Sequence, residues 1–316
     1  MHQSNEPLIV GIQGSFDKQN FQFIPNLSNF KLVESIDDPL VKIADGFMQT
    51  NILKPKLNHL QDQYNFIKQS GKPYLVFESP CFRKNCSWIG GPNYMQRVGW
   101  NHFMRQGIFC NENSPPDRFE KIAKDQNIEL KDWRKSGEYV LFICQKPGDS
   151  SLENVYSRYE HYTDYILDCI KEIRKHTDRP ILLRGHPRSN KSRMIVEKIV
   201  KTENIPNVSF SVNASNDDSR TNGGLGLEKD FENAWCVVGT TSNTLIESIC
   251  LGIPTFVLDE TAMAYDVSQP DLSYIENPLM NINRMQWLYD LGYTQWYTEE
   301  HKSGLVWNRL KSVYFS

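Results

Sequence analysis

In the second half of the chain, short continuous apolar runs alternate with segments whose apolar residues recur every three or four positions. Residues 139–145 (YVLFICQ), 181–184, 208–212, 235–238 and 255–258 read as strands. Between them, residues 154–176, 191–202, 225–234 and 243–251 read as helices, the first with Tyr162, Ile166, Ile170 and Ile173 on one face. Strands that are apolar on both faces and alternate with helices predict a parallel sheet covered on both sides. The first half is similar in kind but less regular. Residues 8–14, 31–35, 42–47 and 74–78 (YLVFE) read as strands, and 57–69 as a helix with Leu57, Leu60, Tyr64 and Ile67 on one face.

Three stretches fall outside that alternation. Residues 79–113 show no period and are rich in Gly, Asn, Pro, Trp and Arg, which suits a functional or partner-covered segment. Residues 113–116, a short helix and 131–137 read as a connector. Residues 284–313 read as helical, with the aromatic series Trp287, Tyr289, Tyr293, Trp296, Tyr297 and Trp307 suited to core packing. The predicted fold class is α/β, with two Rossmann-like domains at 1–135 and 136–283 and a C-terminal helical segment, 284–316, crossing back over both.

Length agrees, since 316 residues exceed a usual single domain. No apolar run approaches the ~20 residues of a membrane span, and the amino terminus lacks a secretion signal, so no membrane role and a cytoplasmic location are expected. Seven scattered cysteines, with only Cys81 and Cys86 close together, suit a reducing compartment and no metal site. Net charge is −3; residues 1–138 carry 17 Lys+Arg against 15 Asp+Glu, and the remainder 18 against 23. That balance argues against nonspecific coating of nucleic acid.

Parallel sheets bind ligands beyond the carboxyl ends of their strands. In the second half those positions hold Lys146-Pro147-Gly148-Asp149-Ser150-Ser151, Arg184-Gly185-His186-Pro187-Arg188, Gly239-Thr240-Thr241-Ser242 and Asp259-Glu260. A Gly/Ser/Thr turn opening a helix offers N–H groups and positive partial charge to a phosphate, although Ser and Thr also cap ordinary crossover helices. Coincidence at successive strand ends favours an anion site built from Lys146, Ser150, Ser151, Arg184, His186, Arg188, Thr240, Thr241 and Ser242. Glu247 lies where it could accept ribose hydroxyls, or simply complement the helix dipole. No G-x-G-x-x-G follows the first strand, and no P-loop, H-E-x-x-H or G-x-S-x-G is present. In the first half Glu78, ending a strand, is the best-placed general base, with Asp45 and His102 as rivals. Arg83, Arg97 and Arg105, interleaved with aromatics including Trp100, suit a flat charged acceptor or a packed loop.

Two Rossmann-like halves, a nucleotide-compatible second domain and a helical tail resemble a GT-B glycosyltransferase. Gly185-His186-Pro187 with Thr240-Thr241-Ser242 is similar to the His-Pro and Ser/Thr motifs of bacterial sialyl- and Kdo-type transferases, and QKPGDSS to a loop of the capsule Kdo-transferase group. VFESPCFR, RVGWNHF, TTSNTLIES, MAYDVS, IENP and QWLYDLGYTQW resemble a tailed-phage family related to DNA glycosyltransferases that modify 5-hydroxymethylcytosine, including arabinosyl transfer. The resemblance implies an inverting, metal-independent enzyme of an infected host's cytoplasm. It implies a sugar moved from a nucleotide sugar, UDP-linked in this reading, to hydroxymethylated DNA, with no other cofactor. Two alternatives accompany it: a CMP-sugar-acid transferase acting on a surface glycan, and a non-catalytic nucleotide- or nucleic-acid-binding module. On the first reading Arg184→Ala is expected to cut donor binding far more than stability.

Overall fold

A computed structural model describes residues 6–13, 29–50, 58–82, 93–216, 225–280 and 282–315. Its strands are β1 (Ile9–Ile12), β2 (Phe30–Val33), β3 (Gly46–Thr50), β4 (Tyr74–Glu78), β5 (Met95–Trp100), β6 (Tyr139–Ile143), β7 (Ile181–Arg184), β8 (Val208–Phe210), β9 (Ala234–Gly239), β10 (Thr255–Val257) and β11 (Gln295–Tyr297). Its α-helices are α1 (Pro39–Ile43), α2 (Asn58–Gln69), α3 (Asp117–Gln126), α4 (Glu153–Tyr156), α5 (Tyr162–Arg174), α6 (Asn190–Thr202), α7 (Leu225–Glu232), α8 (Thr244–Cys250), α9 (Met285–Gly292), α10 (Thr298–Lys302) and α11 (Leu305–Lys311). They form two compact units, the first comprising Met1–Phe119 with Leu288–Ser316 and the second Glu120–Trp287.

The second unit follows its sequence pattern closely. Its five strands lie in the order β10-β9-β6-β7-β8, and every pairing is parallel. Val140–Ile143 are buried on both faces, as their unbroken apolar run requires. One core gathers Val140 and Phe142 with Ile166, Ile170 and Ile173 of α5 and Val196 and Ile199 of α6. The long helix expected over 154–176 is divided into α4 and α5. Residues 131–134 belong with this unit: Lys131 and Arg134 donate backbone N–H to the carbonyls of Cys250 and Gly252. A Cβ on Gly252, whose φ is +67°, would meet the Asp132 carbonyl oxygen at 2.0 Å, so only glycine admits that close approach.

The first unit is a mixed sheet in the order β11-β5-β4-β3-β1-β2. The pairs β1·β2, β1·β3 and β3·β4 are parallel, whereas β4·β5 and β5·β11 are antiparallel. Three expectations change here. The strand placed at 42–47 is α1 followed by β3, because Pro39 starts a helix whose cap Asp38 accepts the Leu40 N–H at 2.8 Å. The aperiodic stretch 79–113 contains β5, all six of whose residues are buried despite Gln96 and Arg97. The tail is not helical throughout and contributes β11, so Leu288–Ser316 is part of the first unit.

Side chains of this sheet separate by pleat. One face carries Val10, Ile12, Phe47, Tyr74 and Val76 against Tyr64 and Ile67 of α2. The other carries Met48, Leu75, Phe77, Val98 and Trp100 against Trp296, Trp307 and Leu310. Of the tail aromatics, Tyr293, Trp296 and Trp307 thus serve as core, whereas Trp287, Tyr289 and Tyr297 are half-buried. No helix among the described residues is long and apolar enough to cross a membrane.

Candidate functional site

Counting β6 as the first strand of the second unit, its sheet reads 3-2-1-4-5, and the direction of winding reverses between β6 and β9. A crevice beyond the carboxyl ends at such a reversal is the favoured ligand position of open α/β sheets. Register places Ile143 beside both Arg184 and Gly239, and Gly239 beside Val257. The four sequence-selected turns therefore leave one edge of one sheet.

Gln145 fastens the two turns flanking the crevice, and sequence reasoning gave it no role. Its Nε2 donates to Ser151 Oγ and Thr241 Oγ1, both at 3.0 Å, while its Oε1 accepts the Thr241 N–H at 2.8 Å. Ser192 of α6 is a second unnoticed fastener. Its Oγ accepts the His186 N–H at 2.9 Å and donates to the Gln145 carbonyl at 3.0 Å, joining the turns after β7 and β6. Gly185 permits this, since a Cβ there would lie 2.8 Å from Arg193 Cα on α6. The only sequence signal for Gln145 is that a polar residue ends an apolar strand run.

These internal bonds redistribute the expected roles. Thr240 and Thr241 are buried; Thr240 Oγ1 bonds Tyr165 Oη at 2.7 Å, and Thr241 Oγ1 donates to the Ser151 carbonyl at 3.0 Å. They hold the turn's shape and do not present hydroxyls to a ligand. Ser242 is half-buried, accepts the Thr244 N–H at 3.2 Å and sits with half-buried Asn243 at the start of α8, the helix's positive end. Ser151 Oγ donates to Asp149 Oδ1 at 2.7 Å, so it too is tied within its turn, while Ser150 opens the short 3₁₀ turn and is half-buried. Glu247 is exposed in the first turn of α8.

Arg184 requires the largest correction. It is 4% exposed and ion-paired with Asp230, which is 1% exposed and also accepts from Ser211 Oγ and from Asn213 Nδ2 at 2.7 Å. A buried guanidinium neutralised this way is part of the framework. At the edge Lys146 and Arg188 are exposed and His186 is half-buried. His186 Nδ1 accepts the Arg188 N–H at 3.1 Å, which puts the neutral ring's proton on Nε2. Asp259, after β10, holds Asn154 and Thr261 through Oδ1, but its buried Oδ2 has no partner among the described residues.

In the first unit the rivals to Glu78 lie elsewhere. Glu78 ends β4 at the carboxyl edge, half-buried, its Oε1 accepting the Ser79 N–H at 2.7 Å. Asp45 precedes β3 and accepts the Leu8 N–H at 2.8 Å, so it belongs to the opposite edge. His102 follows antiparallel β5 and reaches that same opposite edge, where Asn101 pairs with Tyr74 at the start of β4. Burial, with help from Lys68 and Arg97, pushes the His102 pKa down to about 4, and its Nδ1 accepts the Met104 N–H at 3.0 Å. Trp100 is no acceptor platform: fully buried, it donates from Nε1 to the Leu310 carbonyl at 2.8 Å among Trp307, Tyr314 and Phe315. Arg97 is buried, Arg105 is exposed at the edge of His102, and Arg83 lies outside the described residues.

A surface depression of about 460 Å³ lies at the other edge of the second sheet, lined by Arg174, Lys175, His176, Thr177, Asp178, Arg179 and Glu276. Its arginines are occupied structurally. Arg174 donates to the carbonyls of Thr177, Arg179, Pro206 and Asn207, and Arg179 pairs with Glu276 over the Trp235 ring. Among the described residues no group of three or more His, Cys, Asp or Glu side chains is arranged to hold a metal ion.

No protein-family model and no curated protein sequence matches the chain. Two solved structures from Thermosulfurimonas dismutans share its fold along nearly its whole length. The KpsC beta Kdo 2,4 transferase has a TM-score of 0.50 at 11% identity, covering 98% of this chain and 100% of its own. The KpsC beta Kdo 2,7 transferase has the same score and identity, covering 97% and 99%. The chain has the two-domain Rossmann-like fold of these glycosyltransferases.

Proposed function

We propose that the protein is a glycosyltransferase whose second unit binds a nucleotide-activated sugar at the β6/β9 crevice. The observation that carries this reading is the crevice itself, at the sheet's winding reversal, flanked by turns that Gln145 ties together, in a chain with a sugar-transferase fold from end to end. The donor's phosphate rests on the start of α8 at Ser242 and Asn243. Lys146, Arg188 and the Nε2–H of His186 supply positive charge as the nucleotide leaves. Glu247 serves the ribose. Glu78 of the first unit removes the acceptor hydroxyl's proton. The freed oxygen pair attacks the anomeric carbon, the bond from that carbon to the phosphate oxygen breaks, and the nucleotide departs with the electron pair, inverting the centre.

Two donor–acceptor pairs have support. The fold shared with Kdo transferases supports a Kdo-type sugar acid as the group moved, which this reading takes as CMP-linked and passed to a glycan. The motifs from VFESPCFR to QWLYDLGYTQW favour a UDP-sugar and 5-hydroxymethylcytosine in DNA. Of these the fold carries the first further. Thermal unfolding with CMP and with UDP separates them, because a ligand that binds only the folded state raises its melting temperature. Protection by CMP alone is expected; protection by UDP alone, with a mass shift on hydroxymethylcytidine from treated DNA, establishes the second. If no nucleotide protects, the donor site is wrong.

A further inference from the structure

The first unit has its own polar patch on the sheet face covered by α2, toward the carboxyl edge. Register puts Arg97 of β5 directly across from Glu78, two residue pairs beyond Val76·Gly99, and Gln49 of β3 beside Val76. These residues share the pleat of Phe47 and Tyr74, and so lie on the α2 side. Gln63 of α2 reaches the same edge, donating to the Gln13 carbonyl at 3.2 Å just past β1.

The charges and hydrogen bonds here do not close. Arg97 is 3% exposed, and its polar contact is Nη1 to the sulfur of Cys81 at 3.2 Å, with the Phe103 ring 6.0 Å away. Among the described residues its Nε–H has no acceptor and it forms no ion pair. Both amide atoms of Gln49, 1% exposed, lack partners among the described residues, as does Oε1 of Gln63. Glu78, the nearest carboxylate by register, gives Oε1 to the Ser79 N–H. Arg184 in the second unit shows what this chain does when a buried guanidinium is structural: it supplies Asp230. A buried cation and unpaired amides are costly unless something satisfies them.

We propose that this patch is an oxyanion-binding site, in which Arg97 and the Gln49 amide hold one carboxylate or phosphate group. The guanidinium supplies charge and its Nε–H, and Gln49 Nε2 supplies a second donor. The unpaired amide oxygens of Gln49 and Gln63 accept hydroxyls next to that group. The site rests on the first unit alone and not on the transferase reading.

Thermal unfolding of the full chain tests it, with inorganic phosphate or acetate replacing chloride at constant ionic strength. Arg97→Gln and Gln49→Leu are compared with the unaltered chain. Without the anion, both variants are expected to melt no lower than the unaltered protein, since each removes an unsatisfied group. With it, the unaltered chain is expected to rise by a few degrees, and each variant to need about tenfold more anion for the same rise. A response to phosphate alone or acetate alone identifies the group. Equal rises in all three proteins mark a general salt effect and overturn the proposal. So does a large fall in the melting temperature of the anion-free variants, which shows that their polar groups are already compensated. If Arg97→Gln does not fold, that counts against it too, and Gln49→Leu decides whether any anion effect belongs to this patch. Because no nucleotide is used, the outcome is independent of whether CMP or UDP protects.

Discussion

Two arginines four positions apart divide structure from binding. Arg184 and Asp230 are buried together, so Arg184→Ala strands a carboxylate and is expected to cost about 3–5 kcal/mol in chemical denaturation. Arg184→Ala combined with Asp230→Ala is expected to cost less than the sum of the single changes, because the second removes the stranded charge. Arg188 is exposed, and Arg188→Ala is expected to change stability by no more than about 0.5 kcal/mol while weakening nucleotide binding about tenfold. Equal stability losses in the two variants would show that the edge cations were assigned wrongly. Sequence placed both residues after one strand, but spacing carries no sign of which guanidinium turns inward. That distinction arises from Asp230, 46 positions away on α7.

At the scale of elements, the site depends on how three turns are joined. Gln145→Ala removes the side-chain bonds between the turns after β6 and β9 and leaves the Thr241 N–H without its acceptor. A stability loss of about 1–3 kcal/mol is expected, with nucleotide protection lost although no proposed nucleotide contact is touched. Gly185→Ala pushes against backbone of α6 and is expected to cost about 1–3 kcal/mol, read as a lower melting temperature. Retention of full nucleotide protection in Gln145→Ala would detach the fastener from the site. The strands bearing these turns were legible because each is apolar on both faces. β5 was not, since Gln96, Arg97 and Gly99 interrupt its apolar pattern and its burial comes from partners distant in sequence. The same long-range origin hid β11, which pairs with β5 from about 200 positions further on and completes the first unit's sheet. Turns at the carboxyl edge could be read from the strand ends, whereas the residues fastening them are single polar side chains inside apolar segments.

For the whole molecule, the first unit sets the response to acid. His301 is fully buried, 5.9 Å from the Phe77 ring, and burial, aided by the Arg118 charge, pushes its pKa down to about 3. His102, on the other side of the same sheet, is pushed down to about 4. Both rings are neutral in the folded protein and titrate near 6.5 when unfolded. Below 6.5 the unfolded chain therefore binds protons that the folded chain does not, and stability falls with falling pH. The contribution is fully present above 6.5 and declines toward the folded values of about 4 and 3. From pH 7 to pH 5 each histidine is expected to remove about 2 kcal/mol, before most carboxylates titrate. Denaturant midpoints across that range measure the slope, and His301→Phe is expected to remove about half of the histidine part by deleting one titrating ring from a site already lined by Phe77. A slope identical to that of the unaltered chain would mean that His301 is charged in the fold. Both depressed histidines belong to the first unit, so acid is expected to open the first unit while the second still binds nucleotide, and CMP or UDP is expected to protect only the later of two transitions.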